Sequence, residues 1–235
     1  MKKCFAIFCF WLIPTLFFAQ KPLEVRQLVK NIYVYTTYNT YQNSRVPANG
    51  LYVLTVKGAI LIDTPWDTSQ FQPLLDHIKR AHRQRVIFAI ATHSHEDRTA
   101  GLVYYADKGI KTYTSAMTDS ISSHSKGHRA KNLFTKDTSF VFGSVNVQTY
   151  YPGKGHTPDN LTIWFEKEKV LYGGCFIKSG DAEDLGNMND ASVTDWKVSI
   201  HKLKNKFQSA RFIVPGHGNW TDGKGIRQTE YLLTR

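Results

Sequence analysis

Cysteine is scarce in this chain, with three in 235 residues. Three thiols cannot all pair, which excludes a disulfide-stapled scaffold. Glycine (16) and proline (8) occur at ordinary levels and follow no period, so collagen, solenoid repeats and low-complexity linkers are excluded. Acidic side chains are outnumbered, 19 against 30 basic ones. The basic residues are nevertheless scattered, with no arginine-rich tail and no aromatic-interleaved run, so nucleic acid is not expected as a partner. No apolar run reaches the about 20 residues that a membrane-spanning helix needs. Aromatic side chains are plentiful, with 14 Phe, 12 Tyr and 5 Trp, which suits a sizeable core and disfavours disorder. Nine histidines are also present.

Lys2 and Lys3 precede an apolar run from Phe5 to Phe18 that Pro14 interrupts, and small Ala19 follows. This is the three-part pattern of a secretory signal peptide at residues 1–19. It predicts export to the periplasm, with no stable membrane anchor after cleavage. Residues 20–235 are expected to form a single domain, taken as a monomer. Cleavage removes Cys4 and Cys9 and lowers the net charge from +11 to +9. Cys175 then remains alone in an oxidising compartment, where a thiol must be buried, capped or bound to metal.

Short β-rich segments open the chain, at Asn31 to Tyr38 and Leu51 to Val56. A turn at Lys57-Gly58 then leads back through Ala59 to Ile62. Residues 39–50 between the first two strands read as an exposed loop. Asp67-Thr68-Ser69 offers helix-capping side chains before Phe71, Leu74, Leu75 and Ile78 on one helical face. Val86 to Ala91 is wholly apolar, as in a buried strand. Helix, strand and helix are expected over Thr99–Ala106, Ile110–Thr114 and Met117–Ser125. Four strands follow between Ser139 and Tyr172, then a helix at Thr194–Phe207, a strand at Phe212–Val214 and a C-terminal helix. Two β-rich halves with helices outside imply an α/β sheet-on-sheet core flanked by helical layers.

Four polar clusters sit where strands end. Thr92-His93-Ser94-His95-Glu96-Asp97-Arg98 follows the apolar strand, and two histidines two apart on an extended chain point to one side and can chelate one metal. His95-Glu96 does not begin a helical zinc-protease motif, because Thr99 stands where its second histidine would be. The other clusters are Gly155-His156-Thr157, Gly174-Cys175-Phe176 and Gly216-His217-Gly218, whose glycines allow sharp turns into a cleft. A single histidine beside a strand is more often a satisfied core or surface residue. Together, though, the clusters supply four histidines, one aspartate and the only mature cysteine. His77, His82, His124, His128 and His201 lie among Lys and Ser and read as solvated.

At these residues the chain resembles the class B metallo-β-lactamases, over essentially all of its mature length. Arg98 after Asp97, and Cys175 where the wider superfamily commonly has a bridging aspartate, resemble subclass B1, flavobacterial enzymes most. The resemblance implies a four-layer αβ/βα sandwich of two mixed β-sheets with helices on the outer faces. It also implies two Zn2+ per chain, one held by His93, His95 and His156 and the other by Asp97, Cys175 and His217. The expected activity is hydrolysis of the β-lactam amide bond of penicillins, cephalosporins and carbapenems by zinc-activated hydroxide, conferring antibiotic resistance. Asp97 would orient the nucleophile. Lys178 would pair with the antibiotic's carboxylate, and Asn187 would donate to the lactam carbonyl. On the residues alone, Lys178 also reads as a surface lysine and Asn187 as a turn residue. Trp66 is a cleft wall or a plain core residue. Asp63 matches a superfamily aspartate beneath the metals, fixing a ligand's backbone or Arg98, and Tyr41 or Val46 would supply apolar contacts from a flap. Alternatives are another hydrolase of the superfamily, acting on lactones, thioesters or phosphodiesters, or a non-catalytic periplasmic zinc-binding protein.

Overall fold

Alternation along the strands builds the molecule. A computed structural model describes residues 23–124 and 128–235; the expected leader at 1–19 lies outside them. In β4 (Gly58–Ile62), Ile60 and Ile62 face one way and Ala59 and Leu61 the other, as the two-residue period of a strand requires. Both sets are buried, because β4 belongs to a sheet covered on both faces.

That sheet has seven strands in sequence order: β1 (Glu24–Val29), β2 (Ile32–Tyr41), β3 (Ser44–Thr55), β4, β5 (Val86–Ile90), β6 (Lys111–Ser115) and β7 (Asn132–Phe134). It is antiparallel from β1 to β4 and parallel from β4 to β7. The second sheet runs β12-β11-β10-β9-β8. Its strands are β8 (Ser139–Phe142), β9 (Val145–Tyr150), β10 (Thr162–Phe165), β11 (Val170–Gly174) and β12 (Phe212–Pro215), with only β11 and β12 parallel.

The sheets face each other through Ile32, Leu51, Ile62 and Ile90 on one side and Val147, Ile163, Val170 and Val214 on the other. On the outer face of the first sheet, Phe71, Leu74 and Ile78 of α1 (Phe71–His82) pack against Leu61 and Ala89. On that of the second, Trp196, Ile200 and Leu203 of α5 (Val193–Lys206) and Leu233 of α6 (Gly225–Thr234) cover Trp164 and Leu171. The expected four-layer αβ/βα sandwich is what the chain forms. No helix among the described residues is long and apolar enough to cross a membrane.

Two expectations need correction. Residues 39–50 are not a loop, because β2 and β3 continue as one hairpin paired from Ile32↔Val53 to Tyr41↔Ser44. Its turn is made by Gln42 and Asn43, both with positive φ (47° and 63°). Neither is glycine, so the Asn-Gly or Asp-Gly signature of such a turn is absent from the sequence. The helix expected over Thr99–Ala106 is two pieces, α2 (Glu96–Thr99) and α3 (Leu102–Asp107). The short edge strands β1 and β7 were also unanticipated. The remaining helix, α4 (Ala116–Ser123), is capped by Ser115, whose side chain accepts the Thr118 N–H.

Candidate metal centre

The four clusters converge on one rim of the sandwich. His93, His95 and Asp97 follow β5 of the first sheet, while His156, Cys175 and His217 follow β9, β11 and β12 of the second. Close backbone approach brings the last two together. A Cβ on Gly216 would meet the Cys175 nitrogen and the Gly174 carbon at 2.7 Å, so only glycine lets the ends of β11 and β12 touch here.

The rings of His93, His95 and His156 surround a common point, with centroids 4.9 to 5.2 Å apart and planes near perpendicular. His156 Nε2 lies 3.2 Å from His95 Nδ1. Burial, with charged neighbours, holds the His93 and His156 imidazoles well below their ordinary pKa, hence neutral at pH 7. Beside them, Asp97 Oδ2 is 2.9 Å from His217 Nε2 and 3.3 Å from Cys175 Sγ, and those two atoms are 3.2 Å apart.

These donors fit a cation. His217 Nδ1 lies 2.6 Å from the Pro47 carbonyl, to which it donates, so the Nε2 of a neutral ring is an acceptor that faces the Asp97 carboxylate and the Cys175 sulfur, with Arg98 Nη2 3.1 Å away. His93 Nε2 and Asp97 Oδ1 are buried without a hydrogen-bond partner and stand 3.9 Å apart between the two groups. A buried polar atom left unpaired costs about 1–3 kcal/mol. Burial raises the Cys175 thiol pKa, and a bound metal deprotonates such a thiol outright. His93, His95 and His156, and separately His93, Asp97 and Cys175, could each hold a metal ion.

Below the rim lies a buried ion network. Arg98 donates from Nη2 to Asp97 Oδ2 (2.8 Å) and the Gly216 carbonyl (2.9 Å), and from Nη1 to the Asn49 carbonyl (2.7 Å). Burial would push the Asp97 carboxyl up, but the Arg98 guanidinium outweighs it and holds it well below the usual carboxylate range. Asp63 is fully buried at positive φ (63°). Its Oδ1 accepts the N–H of Thr92 (2.7 Å), next to His93, and its Oδ2 lies 3.5 Å from Arg98 Nη1. Burial raises its pKa to about 6, although Arg98, Tyr172 and Thr92 pull the other way.

Above the donors opens a cleft of about 780 Å³, lined among others by Tyr41, Val46, Trp66, Lys178 and Asn187. Trp66 is therefore a cleft wall, with its ring 6.0 Å from Tyr41 of the hairpin and 6.5 Å from His217. Asn187 Oδ1 accepts the Asn189 N–H, which leaves its amide nitrogen as donor.

Residues 44–217 match the metallo-β-lactamase superfamily. The chain belongs to that superfamily. As a metallo-β-lactamase it is 45% identical over 219 residues to the type 2 metallo-β-lactamase of Elizabethkingia meningoseptica, covering 92% of this chain and 88% of the relative. It is 37% identical to metallo-β-lactamase IND-1 of Chryseobacterium indologenes, over 87% of this chain and 86% of that one. Among solved structures, metallo-β-lactamase IND-7 superposes with a TM-score of 0.89 at 36% identity, covering 92% of this chain and 99% of the other. The B1, flavobacterial resemblance is borne out.

Several residues of this metallo-β-lactamase site carry no sequence signal. Asp190 Oδ2 lies 2.8 Å from His95 Nε2. Tyr172 donates to Asp63 Oδ2 at 2.6 Å. Asn49 Nδ2 donates to the carbonyls of Pro215 and Gly218 on either side of His217. His82, expected among solvated histidines, instead packs its ring on Tyr33 and lies 2.8 Å from the Tyr52 hydroxyl.

Proposed function

We propose that the chain is an exported, zinc-dependent β-lactamase acting on penicillins, cephalosporins and carbapenems and so conferring antibiotic resistance. The observation that carries this is the meeting of three imidazoles with an Asp97–Cys175–His217 group at a cleft that His95, Asp97, His156 and His217 line together with Lys178 and Asn187. His93, His95 and His156 would hold one zinc, and Asp97, Cys175 and His217 a second. Zinc bound there supplies Lewis acidity, polarising a carbonyl and lowering the pKa of water from 15.7 towards about 7, so no serine nucleophile is required.

The chain's own groups do the rest. Asp97, ionised at neutral pH, orients the attacking water and accepts its proton at Oδ1. Lys178 pairs with the antibiotic's carboxylate, a charge-assisted contact worth roughly 1.5–3 kcal/mol. Asn187 donates from its amide nitrogen to the lactam carbonyl. Trp66 and Tyr41 cover the apolar side of the substrate and exclude water. Arg98 and Asp63 keep Asp97 and the backbone before His93 in place. Export to the periplasm, through a leader at residues 1–19, and action as a monomer complete the proposal.

Purified protein should hydrolyse a carbapenem, lose that activity on exhaustive chelation and recover it with added zinc. Full activity after chelation would sink the zinc-dependent mechanism. A side-by-side panel with a lactone, a thioester and a phosphodiester separates this function from other superfamily hydrolases. Rapid turnover of any β-lactam excludes a purely zinc-binding role.

A further inference from the structure

Trp196 is fully buried on α5 and lies outside the cleft lining, yet it touches three parts of the site. The Lys178 ammonium stands 5.3 Å from its ring centroid. The His156 ring lies 5.9 Å away, tilted by 56°. Phe176, next to Cys175, packs on it at 5.9 Å, and the indole N–H donates to the Phe176 carbonyl at 3.0 Å.

The loop carrying His156 rests directly on this pair of rings. A Cβ on Gly155 would meet Phe176 at 2.5 Å and Trp196 Cδ1 at 3.0 Å, so glycine is required for the loop to sit that low. The Gly155 carbonyl accepts the N–H of Ser192, and the Ser192 carbonyl accepts the N–H of Trp196. One side chain thus contacts the loop of the three-histidine group, the loop of the thiolate group and the lysine above both.

We propose that Trp196 is a positioning residue: its indole holds the Lys178 ammonium over the cleft and seats the loop that carries His156. The π face attracts the ammonium and adds a direction to its placement. The N–H bond to Phe176 fixes the ring plane from which that attraction acts. The contact with His156 keeps its imidazole facing those of His93 and His95. An aliphatic side chain would fill the space and provide none of these directions. The lysine part of the proposal rests on the β-lactamase function proposed above; the histidine part does not.

The test compares Trp196→Leu, Trp196→Phe and a control, Phe207→Leu. Phe207 belongs to the same apolar layer but packs on Tyr150 and Trp164, away from the site. Each variant is assayed on a β-lactam with a free carboxylate and on its methyl ester, titrated with a chromophoric chelator to follow zinc release, and melted. Trp196→Leu should raise KM for the carboxylate roughly three- to tenfold, the range set by a lost cation–π contact, with KM for the ester unchanged. It should also release zinc at about tenfold lower chelator. Trp196→Phe, which keeps a π face, should recover most of the KM effect.

Equal KM changes on acid and ester would overturn the proposal, as would kinetic and zinc effects that Phe207→Leu reproduces at a matched loss of Tm. If wild-type protein turns over no β-lactam, the proposed function falls. Zinc release then decides about Trp196: earlier release in Trp196→Leu alone supports its seating of His156, and unchanged release overturns it.

Discussion

Among the described residues, Arg98 is the one cation paired with both buried carboxylates beneath the site, Asp97 at 2.8 Å and Asp63 at 3.5 Å. Arg98→Ala would leave these acids without a counter-charge in the dry interior. Breaking one side of a buried pair costs about 3–5 kcal/mol, and urea unfolding of the metal-free protein should show a loss of that size. A loss below 1 kcal/mol would mean that the carboxylates neutralise themselves without help. Cys175→Ser tests the opposite edge of the site: it should weaken one zinc far more than the other, leaving near one tightly held metal per chain by metal analysis. Unchanged affinity for both would remove Cys175 from the ligand set. The six donor residues were legible because each stands beside a strand end and carries a ligand side chain. Asn49, Tyr172, Asp190 and Trp196 were not, since their partners lie far along the chain. Asn49 reaches Pro215 and Gly218, a contact made only when the two sheets close.

The β2–β3 hairpin shows how an element can hide. Tyr38 pairs with Pro47, and proline is usually read as excluding a strand. Here β3 is paired to β4 only over Leu51–Thr55, so its outer half is an edge where a missing N–H is harmless. The Pro47 carbonyl, meanwhile, accepts the hydrogen bond of the His217 Nδ1–H. The turn is the weak point, since Gln42 and Asn43 occupy the left-handed region without glycine. Changing the pair to Asn-Gly should raise Tm slightly and slow amide exchange at the hairpin tip, whereas Asn43→Val, β-branched at positive φ, should speed that exchange and raise KM. Identical exchange in both variants would remove the left-handed Gln42–Asn43 pair as the determinant of hairpin opening. The buried strand β5 was easier to read, because an unbroken apolar run covered on both faces needs no turn chemistry to be recognised. The short edge strands β1 and β7 offer no such run.

At the scale of the molecule, the donors divide between the two sheets. His93, His95 and Asp97 extend from the first, and His156, Cys175 and His217 from the second. Hydrophobic contact joins the sheets through the shared core, but at this rim the interface is polar, and metal held there would tie one sheet to the other. The unfolded chain keeps no such arrangement, so metal binding adds to folding stability as RT ln(1 + [L]/Kd), about 2.7 kcal/mol at a hundredfold excess over Kd. For a chain of this size each kcal/mol moves Tm by about 2–4 °C, so zinc should raise the melting temperature by roughly 5–10 °C over the chelated protein. Cys175→Ser should show a smaller rise, because only the three-histidine group keeps its full set of donors. Amide exchange should slow on addition of zinc at the ends of β5 and β11 together, since each carries donors for the same site. Protection confined to one sheet would mean that the metal decorates that sheet without bridging the sandwich.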